Sequence, residues 1–144
     1  IWPFEVFSDS PSIRWQANLC SLITEGVLDR YPDLRIVVVE KGTTWIARFQ
    51  NTMLEHGWAD PIPYFKKNFW FTTEIEEDNF VEIANNIGWD RMLFATDYAH
   101  NDPGGKNRFN DVDMLQSWLN DNLITQEQYD LITHKNYFYL KARK

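Results

Sequence analysis

The sequence predicts an α/β fold in which parallel strands alternate with helices. Three short apolar runs, at residues 34–39, 68–73 and 91–95, have the length of strands, and helical patterns separate them. The first run ends in four consecutive aliphatic residues at 36–39. Such an unbroken run predicts a strand buried on both faces, as in a parallel sheet. Strands that alternate with helices indicate βαβ units with right-handed crossovers.

The elements follow from local signals along the chain. Residues 1–10 are aromatic and read as irregular, and Asp60-Pro61-Ile62-Pro63 reads as a loop. Thr43 or Thr44 is a candidate N-cap for the second helix, and Thr125 for the last. In chain order, the predicted elements are a helix opened by Ser10-Pro11 and ended by Pro32, the strand at 34–39, a helix around 45–54, the strand at 68–73, a helix at 78–87, the strand at 91–95, a helix at 112–119, and a helical region from 125 to the end.

Length, net charge and cysteine content limit the classes of protein to which the chain can belong. The chain has 144 residues, of which 44% are hydrophobic, so we expect one domain, residues 1–144, with a single core. A net charge of −7 argues against nucleic acid or an anionic membrane as a partner. The lone cysteine, Cys20, cannot form an internal disulfide, which favours a reducing, cytoplasmic location. The first residue is Ile1 rather than Met, which indicates a fragment or a processed product.

The strongest candidate site follows the third strand. The apolar run at 92–95 leads to Asp97 and then to His100 in a polar loop. Because parallel strands end at one edge of a sheet, Glu40, which follows the first strand, should face the same edge. Carboxylates gathered there could bind a cation or act as a general acid and base. Glu74 follows the second strand, and a surface role is favoured for it.

Two segments resemble the amidohydrolase-related family. Residues 26–40, GVLDRYPDLRIVVVE, are similar to a helix-to-strand passage of that family, and residues 88–100, GWDRMLFATDYAH, are similar to its last barrel strand. The aromatic run at 69–71 fits the strand between them. The resemblance implies the C-terminal part, about three strands, of a TIM-barrel-type metal-dependent hydrolase. It also implies that Asp97 binds the catalytic metal and handles a proton.

The chain departs from the family pattern at several points. A TIM barrel has eight strands, and the His-x-His pair that the family carries on its first strand is absent here. Nothing before Ser10 matches the histidine of the fifth strand. Glu40 stands where the family often has a histidine, and Ala99 where it often has a proline. The resemblance therefore implies a divalent metal, zinc in the first instance, in the intact family site rather than in this chain alone.

Several functions remain open at this point. The first is a metal-dependent hydrolase acting on a small molecule, with Asp97, Glu40 and His100 as catalytic residues. A non-oxidative decarboxylase, a lyase of the same family, is the alternative. A function of a different class is that of a non-catalytic half-barrel, which assembles with a second copy or with a missing N-terminal half-barrel. Open sheet edges favour such pairing. A carboxylate-based glycosidase is the least favoured.

Overall fold

The computed structural model describes residues 2–7, 14–73, 77, 79–95 and 110–142. The helices are α1 Pro3–Val6, α2 Trp15–Thr24, α3 Val27–Arg30, α4 Trp45–Glu55, α5 Ile62–Asn68, α6 Phe80–Ile87, α7 Asn110–Asn120, α8 Gln126–Asp130 and α9 Asn136–Lys141. The strands are β1 Ile36–Val38, β2 Phe69–Thr73 and β3 Met92–Phe94. A 3₁₀ turn, Trp89–Arg91, precedes β3, and a π-helical turn, Leu131–Lys135, joins α8 to α9. Within these ranges no helix is long and apolar enough to cross a bilayer.

The three strands form one parallel sheet in the order β1-β2-β3. Phe71 of β2 pairs with Met92 of β3, and Thr73 pairs with Phe94. The aromatic and β-branched residues of β2 favour the extended conformation, and β2 occupies the centre of the sheet. The structure thus confirms the α/β fold with parallel strands that the sequence predicts.

The chain forms two compact units, and the single domain expected from the sequence stays a prediction. The first unit comprises Ile1–Ile36 and Trp45–Phe69. Its core is a chain of aromatic rings. Phe49 stacks on Phe7 at 5.3 Å between ring centroids and on Phe65 at 5.8 Å, and Phe65 meets Phe69 edge-on at 5.1 Å. Phe49, Phe65 and Phe69 are fully buried, so these rings supply much of the unit's buried apolar area.

The second unit comprises Val37–Thr44 and Trp70–Lys144. Phe80 of α6 is fully buried and stacks on Trp118 of α7 at 5.6 Å, and it meets Trp89 edge-on at 5.8 Å. Asn136, at the start of α9, is also fully buried. Its Nδ2 donates to the backbone oxygens of Trp89 and Met92, each at 2.7 Å. These two bonds attach the C-terminal helical region to β3 and to the turn before it.

Three local predictions of helix and loop are wrong. The irregular N-terminal stretch contains α1. The long first helix divides into α2 and α3, because Gly26 lies between them with a φ of 65° that interrupts the helix. The loop predicted at residues 60–63 leads directly into α5, since proline is tolerated in a first helical turn and Asp60 accepts a 3.0 Å bond from the backbone N–H of Ile62. Ser10-Pro11 lies outside the described residues.

Strand β1 is not buried on both faces. Val38 is buried, whereas Val37 is 37% and Val39 53% exposed. Side chains alternate between the two faces of a strand, so Val38 lies on the buried face of β1, and Val37 and Val39 lie on the exposed face. β1 is also an outer strand of the sheet, and β2 is the central one. The aliphatic run correctly predicted a strand, but the prediction that both faces of this strand are buried was wrong.

The last helical region begins at the predicted N-cap. Thr125 Oγ1 accepts a 3.2 Å bond from the N–H of Gln128, and Gln128 Oε1 accepts a 2.7 Å bond from the N–H of Thr125. We expect Thr125→Ala to lower the free energy of unfolding by about 1 kcal/mol, because it removes the hydroxyl acceptor. Urea denaturation measures this, with Thr125→Ser as the control that keeps the hydroxyl. An equal loss in both variants would contradict the capping role.

Candidate functional site

The candidate site lies at the edge of the sheet where the parallel strands end. β2 and β3 run in the same direction in register, so the chain leaves them on one side. Glu40 follows β1 at this carboxyl edge, and Asp97 follows β3 along the sequence. The carboxyl edge of a parallel sheet is where α/β enzymes place their sites.

Glu40 is held at this edge through its backbone. Its N–H donates to Thr72 Oγ1 at 2.9 Å, and the same hydroxyl lies 3.5 Å from the carbonyl oxygen of Val38. The φ of Glu40 is 58°, in a region that non-glycine residues seldom occupy. The residue is exposed, and within the described part of the chain its carboxylate makes no ion pair with Lys41 or Arg48. A surface ion pair with one of these two basic residues therefore does not account for the position of Glu40.

Three other residues of the sequence-based prediction fall in parts of the chain that the structure does not describe. Asp97, His100 and Glu74 lie outside the described residues. Their roles stay predictions, as does the catalytic role of Glu40. The sheet does bring the end of β3 to the same edge as Glu40 through β2, which is the arrangement the prediction requires.

A cavity of about 350 Å³ opens beside β2 and β3. Thr72, which accepts the hydrogen bond from Glu40, also contributes to its wall, so the cavity and the strand-end edge are contiguous. His134 is exposed there, with Nδ1 3.0 Å from Thr133 Oγ1. The remaining walls are mainly apolar and aromatic: Leu93, Phe94, Ile132, Tyr137 and Phe138.

A second carboxylate, that of Glu77, is bound by the loop that carries Glu40. Glu77 Oε2 accepts bonds from Thr43 N at 2.7 Å and from Thr43 Oγ1 at 2.6 Å, and Oε1 accepts from Thr44 N at 3.2 Å. The backbone N–H groups of Thr43 and Thr44, the predicted N-cap candidates, thus donate to Glu77, which lies 34 residues after Thr43 in the sequence. No local pattern signals such a contact, and sequence reasoning missed Glu77.

Cys20 is not a nucleophile for this site. Its side chain is fully buried in α2, within the first unit. Burial raises the pKa of the Cys20 thiol to about 11, although a hydrogen bond with Thr24 opposes the rise. The reactive thiolate is therefore scarce at neutral pH, and the residue behaves as a small apolar core residue.

The described residues do not form a metal site. In the part of the chain that the structure describes, no group of three or more His, Cys, Asp or Glu side chains is arranged to hold an ion. Glu40 is a single carboxylate, and Glu77 is fully engaged by Thr43 and Thr44. Zinc sites take three or four protein ligands, so these residues alone do not fit a resident divalent ion.

Comparison with known proteins identifies the family. The parallel sheet, with helices between its strands, defines an α/β fold. The family model described as Amidohydrolase matches residues 10–136, and the chain belongs to this family. The chain also resembles the crystal structure of an amidohydrolase from Mycobacterium avium subsp. paratuberculosis K-10, with a TM-score of 0.67 and 24% sequence identity. No curated protein matches the chain.

The structural match covers only part of the relative. It includes 90% of this chain and 33% of the Mycobacterium chain, so the present chain spans about a third of that structure's length. The predicted resemblance to part of an amidohydrolase is thereby confirmed for family and fold. Its position in the C-terminal part of the family protein stays a prediction. The sheet corresponds to part of an amidohydrolase barrel.

Proposed function

We propose that this chain supplies the strand-end part of a metal-dependent hydrolase site of the amidohydrolase superfamily. The observation that carries the proposal is the parallel sheet, which sets Glu40 at the carboxyl edge toward which β3 leads before Asp97. In this proposal Asp97 binds metal and handles a proton, while Glu40 and His100 contact a small-molecule substrate. Family membership supports the assignment.

Further metal ligands would have to come from outside the described residues, since those residues do not form an ion site. Zinc is the ion we propose, because it combines protein nitrogen and carboxylate ligands with an open position for water. What this chain contributes by itself is a rigid edge for the acidic groups. That edge is built from backbone hydrogen bonding between strands and from the tie between Glu40 and Thr72.

Titration of the purified chain with zinc, followed by calorimetry, tests the role of Asp97. We expect Asp97→Asn to weaken zinc binding by at least about tenfold, because the amide loses the anionic donor. The matched control is Asp121→Asn, which makes the same change at an exposed aspartate after α7. Equal zinc affinity in Asp97→Asn and in the unsubstituted chain would contradict the role of Asp97, whereas a chain that binds no zinc in either form would not be a metalloenzyme by itself.

Hydrolysis and decarboxylation are separated by their products. The chain is assayed against esters, amides and carboxylated aromatic compounds in water enriched in ¹⁸O. A hydrolase incorporates the label into the product, whereas the alternative, a non-oxidative decarboxylase, releases carbon dioxide without cleaving an ester or amide. Loss of either activity in Asp97→Asn, with Asp121→Asn unaffected, is expected.

A non-catalytic assembly unit is the second candidate, and the exposed edge strand favours it. Val37 of β1 and Val39, which directly follows it, present apolar surface at an outer strand of the sheet. In this case the chain pairs with a second copy or with the missing N-terminal half-barrel. Sedimentation that shows a dimer, lost in Val37→Lys, is the expected result for self-association. A stable monomer with hydrolytic activity would exclude this function.

A further inference from the structure

The contact between Glu77 and the loop after β1 is the most heavily bonded polar cluster near the proposed site. One carboxylate accepts two backbone N–H groups and one hydroxyl, from Thr43 and Thr44. Thr43 is fully buried, so its two bonds are partly shielded from water, whereas the bond from Thr44 is exposed. Hydrogen bonds to an ionised carboxylate are stronger than those between neutral groups. The cluster therefore fixes the backbone just before α4.

Gly42 allows the carboxylate to approach this closely. A Cβ at position 42 would overlap the carboxylate of Glu77, and the φ of Gly42 is 56°, which side chains other than hydrogen disfavour. The glycine is thus required by both the space and the backbone conformation. Glu77 occupies the room that a side chain at 42 would fill.

Glu40 lies in the same short loop and shares its unusual backbone. Glu40 has a φ of 58° and Gly42 a φ of 56°, so both have a left-handed backbone conformation. A non-glycine residue keeps such a conformation only when its surroundings hold it there. The loop is held on one side by Thr72, through the N–H of Glu40, and on the other by Glu77, through Thr43 and Thr44.

We propose that Glu77 is a positioning residue that fixes Glu40 at the carboxyl edge of the sheet. Glu77 does not contact Glu40 itself. It acts through the backbone from Thr44 back to Glu40, with Gly42 as the point of closest approach. The inference rests on the proposed function, in which Glu40 is a site residue. It adds a second carboxylate, that of Glu77, which holds Glu40 in position. The competing explanation is that Glu77 only completes the first turn of α4.

Amide hydrogen exchange followed by NMR tests the proposal in the whole chain. The variant is Glu77→Gln, which replaces one of the two accepting oxygens by an NH₂ group that cannot accept from the loop's N–H groups. The matched control is Glu82→Gln, at an exposed position of α6. We expect protection at Thr43 and Thr44 to fall by at least about tenfold, because bonds to a charged acceptor are lost. If Glu77 positions Glu40, the exchange protection of the Glu40 N–H should fall as well, and the ¹³C shift of the Glu40 side-chain carboxylate should change.

The two explanations give different results at Glu40. If protection falls at Thr43 and Thr44 while the amide and carboxylate signals of Glu40 stay unchanged, Glu77 only completes α4 and the proposal is overturned. Thr43→Val serves if Glu77→Gln does not fold, because it removes only the hydroxyl donor and is expected to shift the same Glu40 signals less. These signals do not depend on zinc binding, so a failure of the hydrolase assignment is recognised separately by the Asp97 titration.

Discussion

Replacement of Phe65 by alanine is expected to lower the free energy of unfolding by about 3–5 kcal/mol, the usual cost of removing a buried aromatic ring. Phe65 of α5 is fully buried and lies between Phe49 and Phe69 in the first unit. Its removal leaves a cavity that the flanking rings cannot fill, since each is held by further packing. Urea denaturation followed by near-ultraviolet circular dichroism measures the loss.

The matched control for this experiment is Phe138→Ala. Phe138 of α9 is 65% exposed, so the same truncation there should change stability by no more than about 0.5 kcal/mol. A loss below about 1 kcal/mol for Phe65→Ala would mean that the ring cluster is not closely packed, and the account of the first unit would be wrong.

The second large effect is expected at Asn136. Replacement by leucine, which is similar in shape, should lower the free energy of unfolding by about 2–4 kcal/mol, because two backbone oxygens lose their donors without regaining water. Those oxygens belong to Trp89 and Met92. The Oδ1 of Asn136 has no partner within the described residues, so leucine removes one unsatisfied atom and the net loss stays at the lower end of this range.

Asn51→Leu is the control for Asn136, because it makes the same change at an exposed position of α4. We expect it to alter stability by less than about 0.5 kcal/mol. Comparable, small effects in both variants would show that the C-terminal helices do not depend on Asn136 for their attachment to β3. Chemical denaturation and the loss of slowly exchanging amides in β3 provide two independent measurements.

The strands were predictable because their signals are local. β2 and β3 are short apolar runs flanked by polar residues and turns, and both were found within one or two residues of their limits. The N-cap at Thr125 was also a local signal. Whether β1 is central or peripheral depends on which strands pair, and no local run of residues contains that information.

The limits of the helices were harder to predict, because the effect of a glycine or proline depends on its position relative to the helix. Gly26 adopts a left-handed conformation and divides α2 from α3, although the apolar spacing continues across it. Pro61 and Pro63 indicated a loop, but at the beginning of a helix proline costs no hydrogen bond. The prediction did not assign Gly26 a break in the helix, and it recognised the prolines but not their position in a first helical turn.

The site was predictable only in part. The position of Glu40 follows from strand direction, which alternation of strands and helices predicts. The ties that hold it could not be predicted, because Thr72 and Glu77 meet this loop from 32 and 34 residues away in sequence. Asp97 and His100 remain predictions that rest on the family and on the direction of β3.

Pulsed and continuous-wave electron spin resonance on labels at positions 40 and 97 test the central claim, that strand direction gathers these groups at one edge. Glu40→Cys with Asp97→Cys is compared with Glu40→Cys with Asp90→Cys, in which the second label precedes β3. Cys20 is buried and its thiol pKa is about 11, so it should not compete for label. Since neighbouring strands lie about 4.8 Å apart, the backbones of β1 and β3 are separated by roughly 10 Å, and we expect the 40–97 pair to be the closer one. A shorter distance for the 40–90 pair would contradict the account.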